Sequence, residues 1–180
     1  SSVVPVATQY SDFEQVVSYP VFVKPDIGYG SRGAKRIDSR EEGLFHSAHY
    51  PESIIVDFIP GPEYTVDCFT NKRGELLFFG PRVRHRVMNG ISVNTFPYNR
   101  RNEDFRNLAE AINRRLVLRG AWFFQVKENA IGKLVLLEVA GRLGGSSALY
   151  RNVGVNFALL SVLDAFGLDV KVHVNSCNIE

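Results

Sequence analysis

The sequence has 180 residues, with 21 Lys+Arg against 19 Asp+Glu (formal net charge +2), 45% hydrophobic and 22% charged. These values fit one domain, or two small lobes sharing a core, and exclude a disordered tail, a collagen-like repeat and a disulfide scaffold. The near-balanced charge argues against a nucleic-acid binder, and no apolar run reaches the ~20 residues of a membrane span, so neither nucleic acid nor membrane is an expected partner. No signal peptide opens the chain, and the two cysteines, Cys68 and Cys177, build no framework; a reducing, cytoplasmic setting is expected. The single methionine is Met88, so Ser1 is read as the start of a processed product or of a piece of something longer.

Ser11 and Glu14 form a capping-box pattern that predicts a short helix to Val17. Val21 to Pro25 is a β-branched and aromatic run that reads as a strand, and the glycine-rich stretch from Asp26 to Gly33 follows it. Ala34 to Ile37 reads as a second strand, and Ser39 with Glu42 opens a helix to about Ala48. Ile54 to Phe58 is the next strand, and Pro60-Gly61-Pro62 breaks the chain after it. From Glu63 to Phe96 the pattern is strand upon strand, with hairpin turns at Asn71 to Gly74 and at Asn89-Gly90. A helix capped by Asn102 carries Phe105, Leu108, Ala109, Ile112 and Leu116 on one face. Strands at Ala121 to Lys127 and Lys133 to Val139 follow, then a loop from Gly141 to Ser147. A last helix from Val155 to Phe166 is stopped by Gly167. The class is α+β, mainly antiparallel sheet with helices on one face.

Three features carry chemistry. Gly28-Tyr29-Gly30-Ser31-Arg32-Gly33 matches Gly-x-Gly-x-x-Gly, but the loop opens a strand rather than a helix, which removes the dinucleotide-binding reading. Gly33-Ala34-Lys35 removes the Walker A reading. What remains is a glycine-rich flap between antiparallel strands, whose backbone N–H groups can approach phosphate oxygens, or a surface hairpin with no ligand. Lys24, at the end of the entering strand, favours the first as a point cation.

The alternation Arg82-Val83-Arg84-His85-Arg86-Val87 puts three guanidinium groups on one strand face. They read either as an oxyanion pocket or as a solvated edge strand. Gln125 and Glu138 are polar insertions in apolar strands of one hairpin. If Glu128 faces Lys133, then Glu138 faces Phe123 and Gln125 lies one diagonal step away on the same face, where the two can share a Mg²⁺. A one-residue slip would put them on opposite faces. The alternatives are a buried Gln–Glu hydrogen bond or an exposed face. Cys68 reads as core packing.

Taken together, these segments resemble the ATP-grasp superfamily, most closely its carbamoyl-phosphate-synthase-like branch. Tyr19 to Pro25 is similar to that family's first ATP-binding strand, and Gly28 to Gly33 to its phosphate-covering flap. Phe58 to Asp67 is similar to the hinge, where the backbone at Ile59 would hold adenine and Glu63 would bind ribose hydroxyls; an acidic residue before the hinge falls at Val56 or Asp57. Gly80 to Arg84 is similar to the family's basic strand near the phosphates. Gln125, Glu138 and Arg142 fall where the family keeps two metal ligands and a phosphate-binding arginine. The resemblance implies a two-lobed clamp, with residues 1–59 as the small lobe and 60–180 as the large lobe. It implies binding of ATP with Mg²⁺ (Mn²⁺ as a substitute) and activation of a small carboxylate or bicarbonate-like substrate through an acyl-phosphate that an amine or ammonia attacks. Lys24, Gly28, Gly30, Ser31, Gly33, Asp57, Ile59 and Glu63 would hold the nucleotide, Gln125 and Glu138 the metal, and Arg142, Arg82 and Arg84 the transferred phosphoryl. Two departures stand out. Ala140 occupies the place of the family's metal-binding Asn, and the family's N-terminal domain has no counterpart here. A non-catalytic module derived from the same fold is therefore the alternative function. A kinase-like phosphotransferase is a weaker third, since His-Arg-Asp and Asp-Phe-Gly are missing.

Overall fold

The computed structural model describes residues 4–27, 31–88 and 90–174. Gly28, Gly30, Asn89 of the expected hairpin turn, and Cys177 lie outside the described residues. The first half of the chain forms β1 (Gln9–Tyr10), β2 (Val21–Pro25), β3 (Lys35–Ile37), α1 (Arg40–His49) and β4 (Ser53–Asp57). The second half forms β5 (Glu63–Thr70), β6 (Leu76–Met88), β7 (Ile91–Pro97), α2 (Asn102–Arg115), β8 (Gly120–Glu128), β9 (Leu134–Ala140), a 3-10 helix (Ser147–Val153) and α3 (Phe157–Ala165). The strands make two sheets, ordered β1-β4-β2-β3 and β7-β6-β5-β8-β9, with antiparallel pairing throughout. The α+β class read from the sequence is the one observed.

In the four-stranded sheet the period-2 alternation buries Val21, Val23, Ile37 and Ile55 against Phe13. The opposite face presents Phe22, Lys24, Arg36 and Val56, which share a register row or alternate with the buried set. Helix α1 meets this core through Gly43, its buried residue, which lies against the Phe13 ring. Its N-cap Ser39 accepts from the Glu42 backbone N–H at 3.3 Å, and Glu42 accepts from the Asp38 N–H at 2.8 Å.

The helix expected from Ser11 does not form. Asp12, not Ser11, accepts the first turn's N–H groups, from Glu14 at 2.9 Å and Gln15 at 3.1 Å. That turn then runs into Val16, Val17 and Pro20, so one capped turn never recovers the cost of helix nucleation. The freed Glu14 pairs with Arg40 at the start of α1.

The five-stranded sheet is covered on both faces, which corrects the expectation of helices on one face. Tyr64, Val66, Cys68, Trp122, Phe124 and Val126 face α2, where Phe105, Ala109 and Ile112 are 3% exposed or less. The alternate residues Phe69 and Phe78 face the 3-10 helix and α3 through Tyr150, Val153, Phe157 and Leu160. The apolar periodicity of α3 cannot say which sheet face it meets, because sheet faces alternate residue by residue. Cys68 is fully buried on the α2 face, as core packing, and burial pushes its thiol pKa up. Helix α2 is locked by a hydrogen-bond relay from Trp122 Nε1 to Thr70 Oγ1 (2.9 Å) and from Thr70 to Asn113 (2.8 Å). Asn102 is its first residue rather than its cap. Arg101 takes the cap position at φ 58 without a side-chain cap, and its guanidinium reaches Asp104 and Glu128 instead.

Asp57 ends β4 and ties β1 to it. Its carboxylate accepts from the Thr8 N–H (3.1 Å) and the Tyr10 hydroxyl (2.6 Å). Burial opposes the ionised form, but these hydrogen bonds outweigh it and hold the carboxyl below its ordinary value. A depressed carboxyl pKa contributes stability above the unfolded pKa of about 3.9, and that contribution is lost as pH falls through the folded value. Asp57→Asn is therefore expected to cost about 1 kcal/mol at neutral pH. Urea unfolding at pH 7 and pH 3 checks this: the gap between wild type and variant narrows at the lower pH, and a constant gap would contradict the assignment.

Candidate functional site

The chain passes from one sheet to the other through residues 58–62, where paired backbone bonds clamp it to the end of β8. Gly61 N–H donates to the Glu128 carbonyl (2.9 Å), and Glu128 N–H to the Pro62 carbonyl (3.0 Å). Ile59 is buried in this crossing, and Asp57, Phe58 and Pro60 line a cleft of about 500 Å³ with Tyr19, Pro20, Ile131 and Val135. The Phe58 ring meets two cations, the Arg36 guanidinium at 4.9 Å and the Lys127 ammonium at 5.5 Å.

On the large-sheet face opposite α2, the strand registers line up polar residues in transverse rows. One row reads Arg82–Thr65–Gln125–Glu138 across β6, β5, β8 and β9. The next reads Gly80–Asp67–Phe123–Ala140. On the other side, Arg84 pairs with Glu63, which stands opposite Lys127. Arg142 follows β9 and places its guanidinium 5.0 Å over the Phe123 ring.

Gln125 and Glu138 share the face, by a route different from the one expected. The Asn129–Lys133 turn closes on itself, with Asn129 Oδ1 accepting from Ile131 and Lys133 N–H, so Glu128 pairs with Leu134 instead of Lys133. That one-residue slip alone would put Glu138 opposite Phe124 and on the wrong face. A β-bulge cancels it. Val126 pairs with Leu136 and Gln125 with Glu138, leaving Leu137 as the extra residue. The two side chains are thus directly opposite, not diagonal. Lys24 from the small sheet donates to the bulged Leu137 carbonyl at 3.0 Å, which brings the predicted cation next to the predicted metal ligand.

The arginine strand is not the solvated edge that one of its two sequence readings expects. β6 is not an edge, and Arg82 and Arg84 have side chains only 4% and 6% exposed. The anions facing them are the chain's own: Asp67 Oδ2 lies 2.6 Å from Arg82 Nε, and Glu63 lies 2.9 Å from Arg84. Arg86 lies beyond a register break and is exposed. Burial pushes the Asp67 carboxyl pKa up, with the Arg82 guanidinium partly offsetting it.

Of the flap, Ser31, Arg32 and Gly33 are described, and Ser31 and Gly33 have φ of 55° and 73°. Gly33 is anchored to α1: its carbonyl lies 2.8 Å from His46 Nε2, and a Cβ there would meet the Tyr50 ring at 2.7 Å. Asp57 stands apart from this cluster and lines the cleft at the crossing, where its oxygens accept from Thr8 and Tyr10. Thr65, Asp67 and Lys127 were missed by the sequence reading. Asp67 carried the same mark as Gln125, a polar residue inside an apolar strand.

The donor set suits a hard cation. Glu138 offers a carboxylate beside the Gln125 amide, and Mg²⁺ commonly takes one or two carboxylates plus phosphate oxygens. Among the described residues no three His, Cys, Asp or Glu converge into a complete metal cage, so phosphate oxygens would have to supply the remaining ligands. Among the described residues neither Lys24 nor Arg142 pairs with a carboxylate: Lys24 donates to the Leu137 carbonyl and Arg142 to the Leu143 carbonyl, which leaves both charges for a polyanionic ligand.

A family model described as ATP-grasp in the biosynthetic pathway with Ter operon matches residues 49–178. No curated protein sequence matches the chain. Among solved structures, N5-carboxyaminoimidazole synthetase from Staphylococcus aureus in complex with ADP superposes with a TM-score of 0.81 at 14% identity, over 95% of this chain and 50% of that one. The biotin carboxylase domain of 2-oxoglutarate carboxylase from Hydrogenobacter thermophilus, in complex with MgADP, ADP and bicarbonate, gives 0.76 at 16% identity, over 96% and 44%. An L-amino acid ligase from Bacillus licheniformis gives 0.64 at 21% identity, over 91% and 43%. The chain thus spans about half the length of the solved structures it matches. No helix among the described residues is long and apolar enough to cross a membrane.

Proposed function

The chain belongs to the ATP-grasp family, and from this we propose that its two sheets grip ATP and Mg²⁺ as part of a ligase that activates a small carboxylate or bicarbonate. The observation that carries the reading is that Gln125 and Glu138 stand opposite each other on one sheet face, with Lys24 bonded to the adjoining Leu137 carbonyl and Arg142 over the Phe123 ring of the next row. Glu138 and Gln125 hold the cation, which would neutralise phosphate charge. Lys24 and Arg142 stabilise the charge that develops on the transferred phosphoryl group. The flap around Ser31 and Gly33 covers the phosphates, the backbone at Ile59 holds adenine, and Glu63, fixed by Arg84, takes the ribose hydroxyls. In the reaction a carboxylate oxygen would bond to the terminal phosphorus of ATP as ADP leaves, and an amine or ammonia would then displace phosphate from the acyl-phosphate. Arg82 and Arg84 line the floor of the site and remain assigned to the transferred phosphoryl, with Asp67 and Glu63 paired to them in the unliganded chain.

The carbamoyl-phosphate-synthase-like branch is the finer reading and rests on the motif string alone; a cytoplasmic location rests on the cysteine usage. A second function is favoured by Ala140, which lies on the site face opposite Phe123 and offers no donor. It is a nucleotide-binding module without ligase chemistry, recognised by ATP binding with no carboxylate-dependent release of ADP.

Calorimetric titration of ATP with and without Mg²⁺ tests the main reading. Lys24→Ala is expected to weaken binding about 10- to 100-fold, the worth of a charge-assisted contact. Glu138→Ala is expected to erase the gain that Mg²⁺ confers. Binding that both substitutions leave unchanged would sink the assignment.

A further inference from the structure

Thr65 is 1% exposed in the centre of the site row, and its hydroxyl is buried without a hydrogen-bond partner. Burying a hydroxyl unpaired is unfavourable, and valine would fill the same space and suit a strand better. The hydroxyl therefore has no structural use in the unliganded sheet.

Its neighbours narrow what use a bound ligand gives it. Arg82, opposite on β6, is committed to Asp67 and reaches Thr95. Gln125, opposite on β8, stands between Thr65 and Glu138. Directly opposed residues bring their Cβ atoms within about 4.5–5.5 Å, inside the reach of a glutamine side chain. A carboxamide has one accepting oxygen and one donating nitrogen, and only the oxygen can ligate a cation. A hydroxyl that accepts from Nε2 turns Oε1 away from β5 and toward Glu138.

We propose that Thr65 is a positioning residue: when the divalent cation binds, its hydroxyl, unpaired in the unliganded sheet, accepts from the Gln125 amide nitrogen and so aims the Gln125 oxygen at the cation shared with Glu138. The inference rests on the reading that Gln125 and Glu138 hold Mg²⁺. It explains how a glutamine, which lacks the charge of a second carboxylate and can present either end of its amide, is held in the ligating orientation.

The test is titration of ATP into wild type, T65V, T65S, Q125A, T65V/Q125A and E138A, each with and without Mg²⁺, with thermal melting of the unliganded proteins. T65V is expected to keep Mg²⁺-free binding, to lose about three- to tenfold in Mg²⁺-dependent affinity, and to leave the melting temperature unchanged or raised. T65S is expected to restore the affinity, and T65V is expected to add nothing in the Q125A background. A full Mg²⁺ effect in T65V, or an equal loss with and without Gln125, overturns the proposal while E138A still abolishes the Mg²⁺ effect. If E138A also leaves that effect intact, the metal-site reading itself falls and takes the proposal with it.

Discussion

Arg82→Met is expected to lower the unfolding free energy by about 3–5 kcal/mol, the cost of stranding one half of a buried ion pair. Asp67 and Arg82 have side chains 2% and 4% exposed, so the carboxylate that remains is a buried one. Burial already pushes the Asp67 carboxyl up against the opposing pull of Arg82, and without that pull it rises further. A carboxyl whose folded pKa exceeds its unfolded pKa adds stability at low pH, and that stability is lost as pH rises through the window between the two values. The loss in Arg82→Met is thus larger at pH 8 than at pH 5. Asp67→Asn also destabilises, by leaving Arg82 unpaired, but without this pH dependence. Arg84→Met is the comparison, since its partner Glu63 is 29% exposed and a half-open pair is worth about 1 kcal/mol or less. Urea unfolding of the variants at both pH values reads all of this. An Arg82→Met cost no larger than that of Arg84→Met would show that the buried pair is not what organises this face.

Gly144→Ala is expected to cost about 2–4 kcal/mol, at the upper end of overpacking penalties. A Cβ at Gly144 would lie 2.5 Å from Asp67 Oδ1, 3.3 Å from Arg82 Nη2 and 3.5 Å from the Phe123 ring. None of the three can retreat, since all are buried and two are held in the ion pair. The loop that follows Arg142 must move instead, and nucleotide affinity is expected to fall with stability. Gly145→Ala is the control: a Cβ there meets nothing within 4 Å, so the change should stay within about 0.5 kcal/mol. Equal effects at the two glycines, measured by denaturation and ATP titration, would contradict the packing seen here.

The local elements were legible because their causes are local. Val21 to Pro25 was read as a strand and is one, and Ser39 caps α1 through the Glu42 N–H as its spacing required. Phe105, Ala109 and Ile112 form the buried face of α2 that their spacing implied. The helix expected at Ser11 failed for a reason that competes at the same scale: Asp12 captured the turn and the β-branched run beyond it could not extend it. The candidate site was legible as residue types, in that Lys24, Gln125, Glu138 and Arg142 stood out as polar groups where apolar or structural residues were expected.

Their arrangement was not. Whether Gln125 and Glu138 meet depends on a slip at the Asn129–Lys133 turn and on a bulge at Leu137 that reverses it, and neither leaves a mark in hydrophobic periodicity. Each alone flips a strand face; together they cancel. Likewise, alternation put Arg82 and Arg84 on one face, but only the pairing of β5 with β6 brings Asp67 and Glu63 against them as ion-pair partners. Composition and period report what each residue prefers among its near neighbours. Which residue stands opposite it, and which charge that leaves for a ligand, is settled between strands distant in sequence, where register and burial decide.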